Sequence, residues 1–197
     1  TMKIRILNAG HQLLANAGEV LGLETIADCM AHPGIGAFWR RVEHEEIVPH
    51  VAPVPGMAPQ EYARLIERRF ANPAIRDTAR RVAFDGASRH AGFLLPILRD
   101  ALSAGTPVEG LSLAEALWAR MCAGTREDGS DIAPNDPHWD ALRAAALAAR
   151  VRPAAWLEQR GIYGDLDREA RFATAFDRWL RMIWEAGTEP ALRRYSG

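Results

Sequence analysis

KIRILNAGHQLLANAGE, residues Lys3–Glu19, sets the structural class of the whole chain. Ile6, Leu7, Leu13 and Leu14 recur at helical spacing and form an apolar stripe. The pattern predicts a helix over Lys3–Glu19, weakened at its end by Gly18 and Gly22. Three reactive polar side chains interrupt this apolar segment. At about 100° per residue, Asn8 lies roughly 140° and His11 roughly 80° around from Lys3. All three fit on one half of the cylinder, offering an amine, a carboxamide and an imidazole to one small polar molecule. Lys3 is also singular, because the other 23 of the chain's 24 basic residues are arginines. Arginine is effectively always protonated, whereas a buried lysine can give up its proton near neutral pH and serve as a base. On geometry alone, the same face reads more readily as an ordinary polar chain end.

The rest of the chain repeats the helical signal. A length of 197 residues fits one domain, and 48% hydrophobic with 25% charged residues fits a globular protein with a real core. A net charge of −1 argues against nucleic acid or an anionic membrane as a partner held through bulk charge. Cys29 and Cys122 are far apart and outside any CxxC pair, so they read as reduced, buried thiols. No run approaches the ~18–20 apolar residues of a membrane span, and no signal-peptide pattern opens the sequence. Together these make a cytoplasmic location the expectation.

Short helices are expected at Glu24–Ala31, stopped by Pro33, and from Gly36 to Glu46. Four prolines within Val48–Pro59 forbid a regular helix and make an extended connector over the surface. Pro59 opens a helix to Phe70, and Asn72-Pro73 repeats the start signal for a helix through Phe84. A break at Asp85-Gly86 precedes a helix through Leu102. Ser112 and Glu115 have the spacing of a capping box opening a helix to Cys122. Gly124–His138 reads as a polar loop whose acids lack EF-hand spacing. Asp136-Pro137 caps a helix through Arg150, Pro153–Arg160 gives another, and Asp167–Ala186 carries the stripe Phe172, Phe176, Leu180 and Ile183. Thr188-Glu189-Pro190 starts a short terminal turn. The expectation is an all-α fold of nine or ten helices, without repeats.

Other chemistries find little support. Gly34-Ile35-Gly36 lacks a preceding strand and a third glycine, so it makes no dinucleotide fingerprint. His44, Glu45, Glu46 and His50 match no familiar metal spacing and read as polar surface. The pairs Arg40-Arg41, Arg68-Arg69 and Arg193-Arg194 read as solvated helix faces.

KIRILNAGH carries a K-x(4)-N-x-x-H pattern. Further along stand PVPG (Pro53–Gly56), RFANPAIRDTARRVAFDGASRHAGFLLPILRD (Arg69–Asp100), ALWARMCAGTREDG (Ala116–Gly129) and IYGDL (Ile162–Leu166). With these segments the chain resembles the mannitol dehydrogenase family, the polyol-specific long-chain dehydrogenases and reductases. The resemblance implies an all-α, compact multi-helix domain similar to the C-terminal-like domain of 6-phosphogluconate dehydrogenase. It also implies that residues 1–197 are the substrate domain of a longer enzyme, whose N-terminal Rossmann domain binds NAD or NADP. By position, Lys3 matches the general acid/base and Asn8 one of two asparagines that polarise the carbonyl. His11 matches a residue that hydrogen-bonds the substrate, and Arg81 one that holds substrate hydroxyls. Arg89 stands where the family places a lysine, which keeps the charge and changes the geometry. No metal is expected. The implied reaction interconverts a sugar alcohol and its ketose, mannitol and fructose first, with D-arabinitol, sorbitol or a keto-uronate as alternatives. A helical binding or regulatory module without catalysis is the reading from a different class.

Overall fold

The computed structural model describes all residues, Thr1–Gly197, and its central element is α1 (Ala9–Leu21). A π-helical turn, Lys3–Asn8, runs into α1 without a break. Every residue from Gln12 to Val20 is buried, so the helix is enclosed on all sides beyond its first turn. The stripe expected from the leucines has the right direction but is too narrow. Small residues widen it: a Cβ on Gly18 would lie 2.3 Å from the Cys29 sulfur, so glycine permits that approach. Gly22, at φ 77°, ends α1 in the left-handed conformation, and Leu23 N–H returns to the Gly18 carbonyl at 2.8 Å.

A capping box of Thr25 and Asp28 opens α2 (Ile26–Ala31). α2 ends at Ala31 ahead of Pro33, as expected, and Pro33 also starts α3 (Pro33–Arg41), three residues before the expected Gly36, at a first-turn position where a missing N–H costs nothing. This helix continues as a π turn, Val42–Ile47, and a 3₁₀ turn, Val48–His50. The proline-rich connector then crosses the surface, with residues 52–56 exposed, to α4 (Pro59–Phe70).

The helix expected from Asn72 does not form there, and α5 covers only Ala79–Ala83. Long-range pairing outcompetes the local start signal. Ile26 N–H bonds the Asp77 carbonyl and Ala79 N–H bonds the Glu24 carbonyl, both at 2.9 Å. Thr78 then caps α5 by accepting from Arg81 N–H at 3.1 Å. The break at Asp85-Gly86 is real, with Asp85 at φ 60°. Beyond it lie α6 (Gly86–Arg89), a π turn over His90–Leu94, and α7 (Leu95–Ala104).

α8 (Glu109–Cys122) is buried along nearly its whole length and packs against α1. Its start differs from the expected Ser112–Glu115 box. Ser112 lies inside the helix and donates to the Val108 carbonyl at 2.7 Å. The exposed N–H groups of Gly110 and Leu111 are instead taken by the Glu46 carboxylate, at 2.9 and 2.8 Å. Asp136 stands before α9 (Trp139–Ala149) as expected, accepting from His138 N–H at 2.9 Å. Two short pieces, α10 (Ala154–Leu157) and α11 (Arg160–Tyr163), lead to α12 (Ala170–Ala186). Its stripe of Phe172, Phe176, Leu180 and Ile183 is buried as expected, and the helix lies along α8. The final segment is longer than the expected turn: α13 (Thr188–Ser196) packs on α3, and the Glu127 carboxylate accepts its first N–H at 2.6 Å.

The fold is all-helical, with three isolated bridges and no strand. Cys29 and Cys122 are free and buried, as the sequence predicts. No helix is long and apolar enough to cross a membrane.

Candidate functional site

The π turn rearranges the face that carries Lys3, Asn8 and His11. In this turn the N–H of Ala9 reaches the carbonyl of Ile4, five residues back. A π turn therefore stacks residues five apart, as an α-helix stacks residues four apart. Lys3 and Asn8 are five apart, and Asn8 and His11 three apart within ordinary α-helix. The roughly 140° between Lys3 and Asn8 expected from α-geometry is thereby reduced. Lys3 is exposed, while Asn8 and His11 are partly buried. The turn is anchored from behind by Arg5, whose Nη1 donates to the His50 carbonyl at 2.8 Å and to Asp100 at 2.5 Å.

His11 lies in a small cleft with Ile26, Arg69, Phe70, Ile75 and Asp77. Its ring stacks on Phe70 with centroids 4.3 Å apart and planes 20° from parallel. Burial lowers its pKa to about 4, and Arg81, Arg69 and Arg89 push the same way against the attraction of Asp77. The imidazole is thus neutral near pH 7, able to donate at one nitrogen and accept at the other.

Arg81 and Arg89 come from α5 and α6. Arg81 is exposed and is held side-on by Asp77, Nε to Oδ1 at 2.6 Å and Nη2 to Oδ2 at 2.5 Å. Asp77 Oδ2 also lies 4.0 Å from His11 Nε2. The hydrogen bonds from Arg81 hold the Asp77 carboxyl below its ordinary range. Arg89 is partly buried, and the π turn that follows it packs against the turn carrying Lys3. Sequence reasoning missed Asp77, Phe70 and Arg69. The i, i+4 spacing of Asp77 and Arg81 was a usable signal, hidden by the expectation of continuous helix there.

The other sequence candidates disperse. Gly34 and Gly36 are part of α3, and Gly36 N–H is spent on the His32 carbonyl at 2.8 Å. Glu45 pairs with Arg41 at 3.1 Å, and His50 meets the Thr106 hydroxyl at 2.8 Å. Glu46 is not surface at all: it is buried under the start of α8. One cluster had no sequence forecast. His90, fully buried, meets Glu115 at 2.5 Å and Asn16 at 2.8 Å, and stacks on Trp118 at 4.1 Å. Tyr163 donates to the other Glu115 oxygen at 2.8 Å. These satisfied buried groups tie the Arg89 segment to α1 and α8.

The family model described as mannitol dehydrogenase C-terminal domain matches residues 1–184. Mannitol 2-dehydrogenase of Cereibacter sphaeroides is 46% identical over 194 residues, 98% of this chain and 41% of that protein. The structure of Pseudomonas fluorescens mannitol 2-dehydrogenase in ternary complex with NAD and D-mannitol matches with a TM-score of 0.93 at 27% identity. That match covers 98% of this chain and 40% of the other. A D-sorbitol dehydrogenase in substrate-free form shares the fold, with a TM-score of 0.87 at 23% identity over 97% of this chain and 40% of that one. The chain thus spans about two fifths of the length of these relatives. By the match over nearly its whole length, the chain belongs to the mannitol dehydrogenase C-terminal domain family.

Proposed function

We propose that this chain is the substrate-binding and proton-handling domain of a nicotinamide-dependent polyol dehydrogenase that interconverts mannitol and fructose. The observation that supports the reading is the run of Lys3, Asn8 and neutral His11 along one π turn and the start of α1, in a chain similar to an enzyme whose structure holds NAD and D-mannitol. The residues present do not form a dinucleotide site by themselves. There is no strand-to-helix glycine turn, and the backbone of Gly34–Gly36 is committed to α3. We therefore assign NAD or NADP, which would accept the hydride, to an N-terminal Rossmann domain of the same enzyme.

Within this chain, the roles follow from chemistry. Oxidising a secondary alcohol needs a base for the hydroxyl proton, and Lys3 Nζ is the group placed to take it. The Asn8 carboxamide donates to the oxygen as it becomes a carbonyl, and neutral His11 adds a second hydrogen bond. Arg81 and Arg89 bind the remaining hydroxyls. Roles so divided require no metal ligand from this chain.

The test is the pH–rate profile of polyol oxidation by the complete enzyme with Lys3, Lys3→Arg and Lys3→Ala. In the wild type the amine takes the hydroxyl proton, and neither variant offers an equivalent base. Both variants should lose on the order of 10²–10⁴ in rate, the usual contribution of a general base. Small added amines should partly restore Lys3→Ala. Full activity of Lys3→Arg would reduce this residue to a charge and overturn the assignment.

A further inference from the structure

We propose that Asp77 is a positioning residue that aims Arg81 at the substrate and so sets how adjacent hydroxyl groups are read. The inference rests on the polyol reading of the site and adds to it a residue and a geometry.

Asp77 is fixed by the backbone before its side chain acts. Its carbonyl accepts from Ile26 N–H at 2.9 Å, and its N–H bonds the Ile75 carbonyl at 3.0 Å. The neighbouring Thr78 caps α5, the helix that carries Arg81. The carboxylate thus stands on a rigid corner between α2 and α5, with its side chain only 19% exposed. Arg81, by contrast, is 61% exposed and reaches out from a helix of five residues. Nothing else in the chain bonds its guanidinium; both of its contacts go to Asp77. Without that anchor the long side chain would sample many rotamers, and ordering it would weaken binding.

The way Asp77 holds the fork determines what remains free. It takes the side edge, Nε and Nη2. The outer edge is left, where Nη1 and Nη2 present two parallel N–H donors in one plane. Such a pair matches the oxygens of two adjacent hydroxyls, which a polyol offers and a simple alcohol does not. The same carboxylate is 4.0 Å from His11 Nε2, beyond hydrogen-bond distance, so Arg81 is the one side chain it bonds. Asp77 does not touch the reacting carbon; it acts through Arg81.

The complete enzyme tests this with a double-mutant cycle on mannitol oxidation. Asp77→Asn keeps the shape and removes the charged anchor. It should raise KM on the order of ten-fold, the size expected for loss of a charge-assisted pair, with kcat within about three-fold. Arg81→Ala should raise KM by a similar or larger factor. In the Arg81→Ala background, Asp77→Asn should add nothing, because its target is gone. A purely structural Asp77 would lower kcat or the melting temperature in both backgrounds equally, and that outcome overturns the proposal. If Asp77→Asn does not accumulate, Asp77→Glu carries the same KM prediction, since it keeps the charge but moves it by one carbon. Should Arg81→Ala leave KM unchanged, the reading of Arg81 as a substrate residue fails and takes this inference with it. If Arg81→Ala raises KM while Asp77→Asn does not, the polyol site stands and only the role of Asp77 falls.

Discussion

Glu46 offers a measurable consequence of where this fold buries its charge. The side chain is 1% exposed, and burial pushes its carboxyl from an ordinary 4.5 up to about 7. The N–H groups of Gly110 and Leu111 pull the other way, as does Arg41, while Glu109 adds to the rise. Burial wins because the two N–H bonds replace only part of the lost hydration. Between pH 4.5 and 7 the folded carboxyl keeps a proton that the unfolded chain has lost. Stability therefore falls as pH rises through that window and levels off above it. A displacement of this size corresponds to about 3 kcal/mol. Glu46→Gln cannot titrate, and it leaves one of the two N–H groups facing an amide nitrogen, at a cost of about 1–2 kcal/mol. The variant should thus be less stable than wild type at pH 5 and gain about 2–3 kcal/mol on it by pH 8. Urea unfolding of both proteins at the two pH values measures this. Burial also raises Glu19 and Glu43, but both are present in each protein and cancel in the difference. A wild-type to variant difference that is the same at pH 5 and pH 8 would refute the reasoning.

Close approaches make two glycines intolerant. A Cβ on Gly110 would lie 2.4 Å from Val42 Cγ2 and 2.5 Å from both the Glu46 carboxylate and the Tyr195 hydroxyl, and one on Gly18 would meet Cys29. Alanine at either site should cost about 1–3 kcal/mol or more by overpacking. Gly92→Ala, with open space around it, is the control that should be nearly silent in the same thermal melts. The two thiols should be inert in the native state. Burial pushes Cys29 up to about 12 and Cys122 well above the usual thiol range. A thiol-reactive chromophore at pH 8 should label neither residue until urea is added; rapid native labelling would contradict their burial.

Local patterns in the sequence announced what local physics determines. The apolar periods of Lys3–Glu19 and of Phe172–Ile183 became buried helices, and Pro59, Gly22 and Asp136 acted where their chemistry places them. The failures share one cause, a partner distant in the chain. Asn72-Pro73 lost its helix because residues 77 and 79 bond to residues 24 and 26. Ser112 and Glu115 have capping-box spacing, yet Glu46 caps α8 and Glu115 turns inward to His90. Thr188 begins a full helix because Glu127 is there to receive it. The candidate site was legible chiefly by resemblance, since spacing alone gave a polar face with two readings. Asp77 escaped because its role depends on a corner that only the folded chain makes.

The π turns connect these observations. There are three, over Lys3–Asn8, Val42–Ile47 and His90–Leu94, and the first packs against both others. Such turns are rare, so three of them, with the first touching both others, imply a compensating gain. At the first, the wider turn brings Lys3 nearer to Asn8 than α-geometry would. The other two hold three of the fold's buried ionisable side chains, Glu43, Glu46 and His90. Glu46 spends its carboxylate on α8, and His90 ties the Arg89 segment to α1. Glu43, with neither oxygen partnered, stands 3.0 Å from where a Cβ on Gly10 would be, directly behind His11 in sequence. In a plain α-helix Glu43 and Glu46, three apart, would share one face; the π turn spreads them, Glu46 to the start of α8 and Glu43 toward Gly10. Around the first turn, then, two buried polar side chains tie neighbouring segments together, Glu46 holding the start of α8 and His90 joining the Arg89 segment to α1 and α8.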